Sequence, residues 1–169
     1  MDFKLTTLGT SAAGPVPGRW PSGQYLKTAK SGFLFDAGEG IQIAMQRHNI
    51  GWGGVDAILI SHLHGDHIYG LPGLLTSWGL NQRTTPLQII GPANIEPFLQ
   101  AVFEYSYTGL PFPVEYKVVD TTQAGLLVFE DQHVQVHTIP LKHRIPTVGY
   151  LVREKERPRT MLGDKIKEY

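Results

Sequence analysis

The chain has no cysteine, no net charge and no long apolar run, and each absence excludes something. Without thiols, disulfides and thiolate metal ligands are both ruled out, while the compartment is left open. Fifteen basic residues balance fifteen acidic ones, so composition gives no support to a nucleic-acid partner. It does not exclude one, because phosphate contacts need only a local basic patch. No apolar stretch reaches the roughly 18 residues of a membrane-spanning helix, and Met1-Asp2-Phe3-Lys4 does not open a signal peptide. The expectation is a soluble cytoplasmic protein with no membrane partner. What is present, 169 residues with 41% hydrophobic and 18% charged, is one globular domain's worth of chain with a real core.

Chemistry concentrates in Ser61-His62-Leu63-His64-Gly65-Asp66-His67. This stretch directly follows Val55-Asp56-Ala57-Ile58-Leu59-Ile60, whose length and branched content read as a buried strand. The cluster therefore falls on the loop at a strand's C-terminal end, where α/β folds place their sites. Imidazole and carboxylate donors suit zinc, manganese or iron. His62 and His64 alternate with Leu63 and can point to one side, and Gly65 permits a bend that turns Asp66 and His67 toward a second position. Four adjacent donors do not comfortably serve one ion, so two metals are the natural reading. A histidine-rich surface loop is the alternative.

Around this centre the pattern gives a strand through Phe3, Leu5 and Leu8 and a Gly/Pro loop over 11–23. A hairpin follows, from Tyr25–Ala29 through Lys30-Ser31-Gly32 to Phe33–Phe35, with Asp36 ending it. Helices are predicted over 40–49, 70–80 and 94–105, with Pro72 in a first turn where its missing N–H costs nothing. His48 sits in a last helical turn and is not counted as a ligand. Further strands are predicted at Leu87–Gly91, Val114–Val119, Leu126–Glu130, His133–Ile139 and Thr147–Val152. His133 and His137 fall on the polar face of theirs. Tyr105, Tyr107 and Phe112 form either a base-stacking surface or satellite core. Ten of the seventeen residues from Arg153 onward are charged, and Thr160–Tyr169 has a thin helical apolar face.

The His-x-His-x-Asp-His stretch resembles the metal motif of the metallo-β-lactamase superfamily of dinuclear hydrolases. Thr7-Leu8-Gly9-Thr10-Ser11-Ala12, Leu34-Phe35-Asp36-Ala37-Gly38-Glu39-Gly40, His67 to Leu75 and Pro140 to Tyr150 are similar to ribonuclease Z, the tRNA 3′-end endonuclease family. The resemblance implies an α/β fold, the αββα sandwich of two sheets faced by helices, of which this chain would hold the N-terminal half to two-thirds. It assigns His62, His64 and His143 to one zinc, and Asp66 with His67 to a second. Asp66 is also the implied proton acceptor, and Asp36 supports the metal loop from behind the ligands. The implied reaction is removal of the 3′ trailer from precursor tRNA by metal-activated water, leaving a 3′-hydroxyl on the tRNA.

The family's later motifs have no counterpart within residues 153–169. These are the aspartate bridging the metals, a last histidine ligand, a histidine and a glutamate that help move protons, and an arm that grips tRNA. The whole of 1–169 is thus expected to be an incomplete domain with an exposed sheet face, driving homodimerisation or loose packing. Two other readings remain. One is a related hydrolase acting on small phosphodiesters or sulfate esters, and the other is a catalytically incomplete fragment holding half the metal site.

Overall fold

A computed structural model describes residues 3–14 and 16–156, so the expected helix over 160–169 lies outside the described residues. The chain runs β1 (Lys4–Gly9), β2 (Gly23–Lys27), β3 (Gly32–Phe35), α1 (Ile41–Arg47), β4 (Ala57–Leu59), α2 (Gly65–Ile68) and α3 (Leu71–Leu80). It continues through β5 (Leu87–Gly91), α4 (Ile95–Tyr105), β6 (Val114–Val118), β7 (Leu127–Glu130), β8 (Val134–Pro140) and β9 (Val148–Glu154).

The first six strands form one sheet in sequence order, and β7-β8-β9 form a second. β1 and β2 pair antiparallel across the long 10–22 loop and β2 and β3 through a short turn, whereas β3, β4, β5 and β6 are parallel, each reached through a helical crossover or long connection. Side-chain alternation then divides the core. Leu34, Ile58, Ile60 and Ile89 face α1, α3 and α4 with Ile41, Met45, Leu71, Leu74, Leu75 and Leu99. Phe33, Ala57, Leu59 and Ile90 face the second sheet, meeting Val128, Val134, Val136 and Val148. Apolar residues on both faces explain why β4 reads as an unbroken hydrophobic run. The layers are helices, six-stranded sheet, three-stranded sheet; among the described residues no helix covers the outer face of the second sheet.

Two local features refine the expectation. The bend at Gly65 is the opening of the short helix α2. A side chain there would meet the Tyr69 ring, which packs close against Gly65 and would have to shift. The three aromatics do not act together: Phe112 is core, while Tyr105 and Tyr107 are exposed. An apolar cleft of about 580 Å³ lies between the β1–β2 edge and β9, lined by Phe3, Leu5, Leu26, Phe35, Leu141 and Tyr150.

Candidate metal centre

β4 ends at Leu59, and the chain runs extended through His62 and His64 before α2 turns it back, bringing Asp66 and His67 to the same edge. The β3–α1 loop closes on that turn: the Ala37 N–H donates to the His67 carbonyl at 2.7 Å, and the Gly70 N–H to that of Ala37 at 2.9 Å. Gly38 lies so close to the Asp66 carbonyl that a Cβ would collide with it. From the second sheet, the Val148 N–H donates to the Ser61 carbonyl at 2.9 Å, and the Tyr150 hydroxyl to that of Ile60 at 2.9 Å. These bonds hold the β8–β9 loop, and His143 with it, over the end of β4.

Four imidazoles meet there. Ring centroids of His62 lie 4.9 Å from His64, 4.0 Å from His67 and 4.9 Å from His143, and His64 and His143 are 5.0 Å apart. One ring nitrogen from each of His62, His64 and His143 falls within 4.8 Å of the others. His143 Nε2 is 3.2 Å from His64 Nδ1. Two nitrogens each about 2.05 Å from a tetrahedral zinc lie about 3.4 Å apart, so the spacing fits a pair of ligands. His67 Nε2 and Asp66 Oδ2, 3.6 Å apart, supply two donors at a neighbouring position. His133, just before β8, and His137, on β8, are not in the three-histidine group, and His48 caps α1.

Asp36 sets the tautomers. It sits at φ 56°, a left-handed conformation that aspartate tolerates better than most residues. Its Oδ1 accepts the Ser61 N–H at 2.8 Å, and its Oδ2 accepts the Ser61 hydroxyl at 3.0 Å, the Ser22 hydroxyl at 3.2 Å and His67 Nδ1 at 2.7 Å. A carboxylate only accepts, so His67 carries its proton on Nδ1 and leaves Nε2 bare, facing Asp66. Ser61 spends its single proton on Asp36 and so accepts from His62 Nδ1 at 2.9 Å, leaving His62 Nε2 bare as well. One buried carboxylate thus orients two imidazoles with Nε2 toward the site, directly for one and through a hydroxyl for the other.

Charge follows the same arrangement. Burial, then the neighbouring His67, push the His62 pKa down to about 4, against the opposing pull of Asp36. At His67, burial works against the charged form, but the Asp36 hydrogen bond and charge, with Asp66, outweigh it and raise the pKa. Burial likewise opposes the Asp66 carboxylate and is overcome by the Ala13 N–H, donated at 2.8 Å, and by His67, so its pKa is lowered. Three converging imidazoles beside carboxylates form a donor set that could hold a divalent cation, as the fold suggests.

Ser61 and Ala13 escaped the sequence reading as contributors. Ser61 was visible only as the residue before the first histidine, and nothing in its neighbourhood announced a hydroxyl shared between Asp36 and His62.

The three-layer order of sheets and helices, with a histidine-rich loop at the end of β4, defines the class: the chain belongs to the metallo-beta-lactamase superfamily, whose family model matches residues 25–155. Within it, the chain is 40% identical over 154 residues to a ribonuclease Z of Parabacteroides distasonis, covering 91% of this chain and 50% of that protein. It is 42% identical over 165 residues to a ribonuclease Z of Acaryochloris marina, covering 96% and 51%. The crystal structure of human tRNase Z, short form, superposes with a TM-score of 0.80 at 35% identity, over 89% of this chain and 64% of that one. A diphosphatase from the PhnP family, 23% identical with a TM-score of 0.66, shares the fold. The chain spans about half the length of the curated relatives it matches.

Two expected outcomes follow from the tautomer network. Asp36→Asn, which keeps the left-handed backbone accessible, weakens zinc binding about 10–100-fold by releasing His67. Ser61→Ala weakens it less, since only His62 loses its partner. Competition titration against a chromophoric chelator checks both, and an Asp36→Asn affinity equal to wild type would contradict the assignment.

The pH dependence of the metal-free chain has a defined sign. A lowered histidine pKa means that the unfolded chain takes up the proton first, so the His62 contribution is lost as pH falls from 6.5 toward about 4. The raised pKa of His67 acts oppositely, stabilising below 6.5 and fading as pH rises through its folded value. In thermal melts with chelator present, the melting temperature of wild type relative to His62→Asn is expected to fall on acidification across that window. A pH-independent difference would contradict it.

Proposed function

We propose that the chain carries the metal-binding part of a zinc-dependent endoribonuclease that removes the 3′ trailer from precursor tRNA. The observation supporting this is the convergence of His62, His64 and His143 on one point beside Asp66 and His67, in a chain similar along nearly its whole length to ribonuclease Z. Zinc at both positions, with manganese or iron as substitutes, supplies the Lewis acidity that makes water a usable nucleophile near neutral pH. In this reading His62, His64 and His143 hold the first ion, and Asp66 and His67 hold the second. Asp66 also takes the proton of the attacking water, and its lowered pKa makes it a better ligand than base. Asp36 and Ser61 keep the imidazoles in the ligating tautomer.

Among the described residues the second position has only two protein donors, so the proposal includes further ligands contributed from outside them. We take residues 1–169 as part of one metallo-β-lactamase domain, with 153–169 a charged segment after which the family's remaining motifs would follow. A cytoplasmic homodimer is proposed as well. It is supported by Leu127, Ile139 and Leu151 exposed on the small sheet, and by Leu5 exposed on the unpaired edge strand β1. No helix among the described residues is long and apolar enough to cross a membrane. The test is cleavage of a precursor tRNA carrying a labelled trailer, with and without chelator. Chelator-sensitive release of the trailer supports the reading, and metal binding without any cleavage refutes activity in this chain.

A further inference from the structure

Tyr69 is 65% exposed although it sits one turn beyond Asp66. Its ring packs against Gly65, where a side chain would collide with it, and so is held over the first residue of α2. That ring lines a cavity of about 460 Å³, of the size that accepts small ligands, together with Ala13, Pro21 and Glu39. His64 and Asp66 line this cavity and also the larger one that holds His62, His67 and His143. The two spaces therefore meet at the metal-binding residues.

The chemistry of the smaller space selects its occupant. Two acidic residues, Glu39 and Asp66, line it, and among the described residues no lysine or arginine does, so a phosphate is disfavoured. An aromatic face and the Pro21 ring suit a flat heterocycle, and a carboxylate accepts from an exocyclic amino group. We propose that this cavity is a nucleobase subsite: Tyr69 stacks the base adjoining the phosphate held at the metal centre, and Glu39 accepts a hydrogen bond from its exocyclic amine. The inference rests on the functional reading for the identity of the substrate. It assigns Tyr69 and Glu39 to recognition, with a preference for adenine or cytosine over uracil.

The test is fluorescence anisotropy with labelled six-nucleotide single-stranded RNAs, of adenosine, cytidine or uridine only, titrated with the zinc-loaded chain. Tyr69→Leu is expected to weaken binding of the adenosine oligomer about tenfold, while Tyr69→Phe stays within about twofold. Glu39→Gln is expected to narrow the gap between the cytidine and uridine oligomers. An oligomer lacking its bases should bind wild type and Tyr69→Leu equally. Equal affinity of wild type and Tyr69→Leu for the adenosine oligomer, with circular dichroism showing both folded, overturns the proposal. So does wild-type binding that ignores whether bases are present, whatever the chain does to precursor tRNA. Conversely, base-dependent binding through Tyr69 without trailer cleavage leaves the subsite standing and removes the functional proposal.

Discussion

Under the proposed function, His64→Ala is expected to bring chelator-sensitive cleavage of precursor tRNA to background, while the melting temperature of the metal-free chain shifts by no more than about 3 °C. The two halves of this expectation have different causes. His64 is half-buried and meets His62 and His143, so among the described residues truncation leaves no other buried group without its hydrogen bond. Removing one of three converging ligands costs the site more than the roughly 10–100-fold lost with an outer partner such as Asp36. Trailer release and zinc retention measured on the same preparation check it. Full cleavage by the variant would remove the metal assignment, whereas a collapsed melting temperature would show that His64 is structural.

Arg83→Leu is expected to be the most destabilising single change outside the site, by about 4 kcal/mol, or about 12 °C in melting temperature. Arg83 is 2% exposed, and its guanidinium stacks near the rings of Trp78 and Phe112. It donates to the carbonyls of Trp52, Val55, Thr85 and Pro86 at 2.8–3.1 Å. The turn at Trp52–Gly54 and the loop before β5 are thereby tied together just below β4, the strand that ends in the metal loop. Leucine fills much of the space but takes the guanidinium from four carbonyls, of which Trp52 alone keeps another donor, the Val55 N–H, among the described residues. Lysine keeps the charge yet cannot span them, having no planar fork, so Arg83→Lys recovers less than half of the loss. Urea or thermal unfolding of the three proteins decides this, and a loss below about 1 kcal/mol for leucine would contradict it.

How much was legible in the sequence varies with how local the cause is. β4 was readable because both of its faces are apolar, and α3 because Pro72 and the spacing of Leu71, Leu74, Leu75 and Trp78 agree. His62, His64, Asp66 and His67 were readable because their donors are close in the chain. His143 was identified only through the family resemblance. Its neighbours Lys142 and Arg144 read as a solvated loop, and what brings it in is the bond from Val148 to Ser61. Arg83 was not legible at all: arginine is ordinarily a surface residue, and its four acceptors are backbone groups that no side-chain pattern announces. The tautomer control by Asp36 depends on the ends of β3 and β4 lying side by side, which parallel pairing creates and periodicity does not reveal.

The most direct test of the central claim, that His62, His64 and His143 form a metal site in this chain, is zinc stoichiometry. Elemental mass spectrometry of the purified chain, after dialysis against a weak chelator, should find at least one tightly held zinc per chain in wild type and none in His64→Ala. Equal zinc in the two proteins, or none in wild type, would contradict the account.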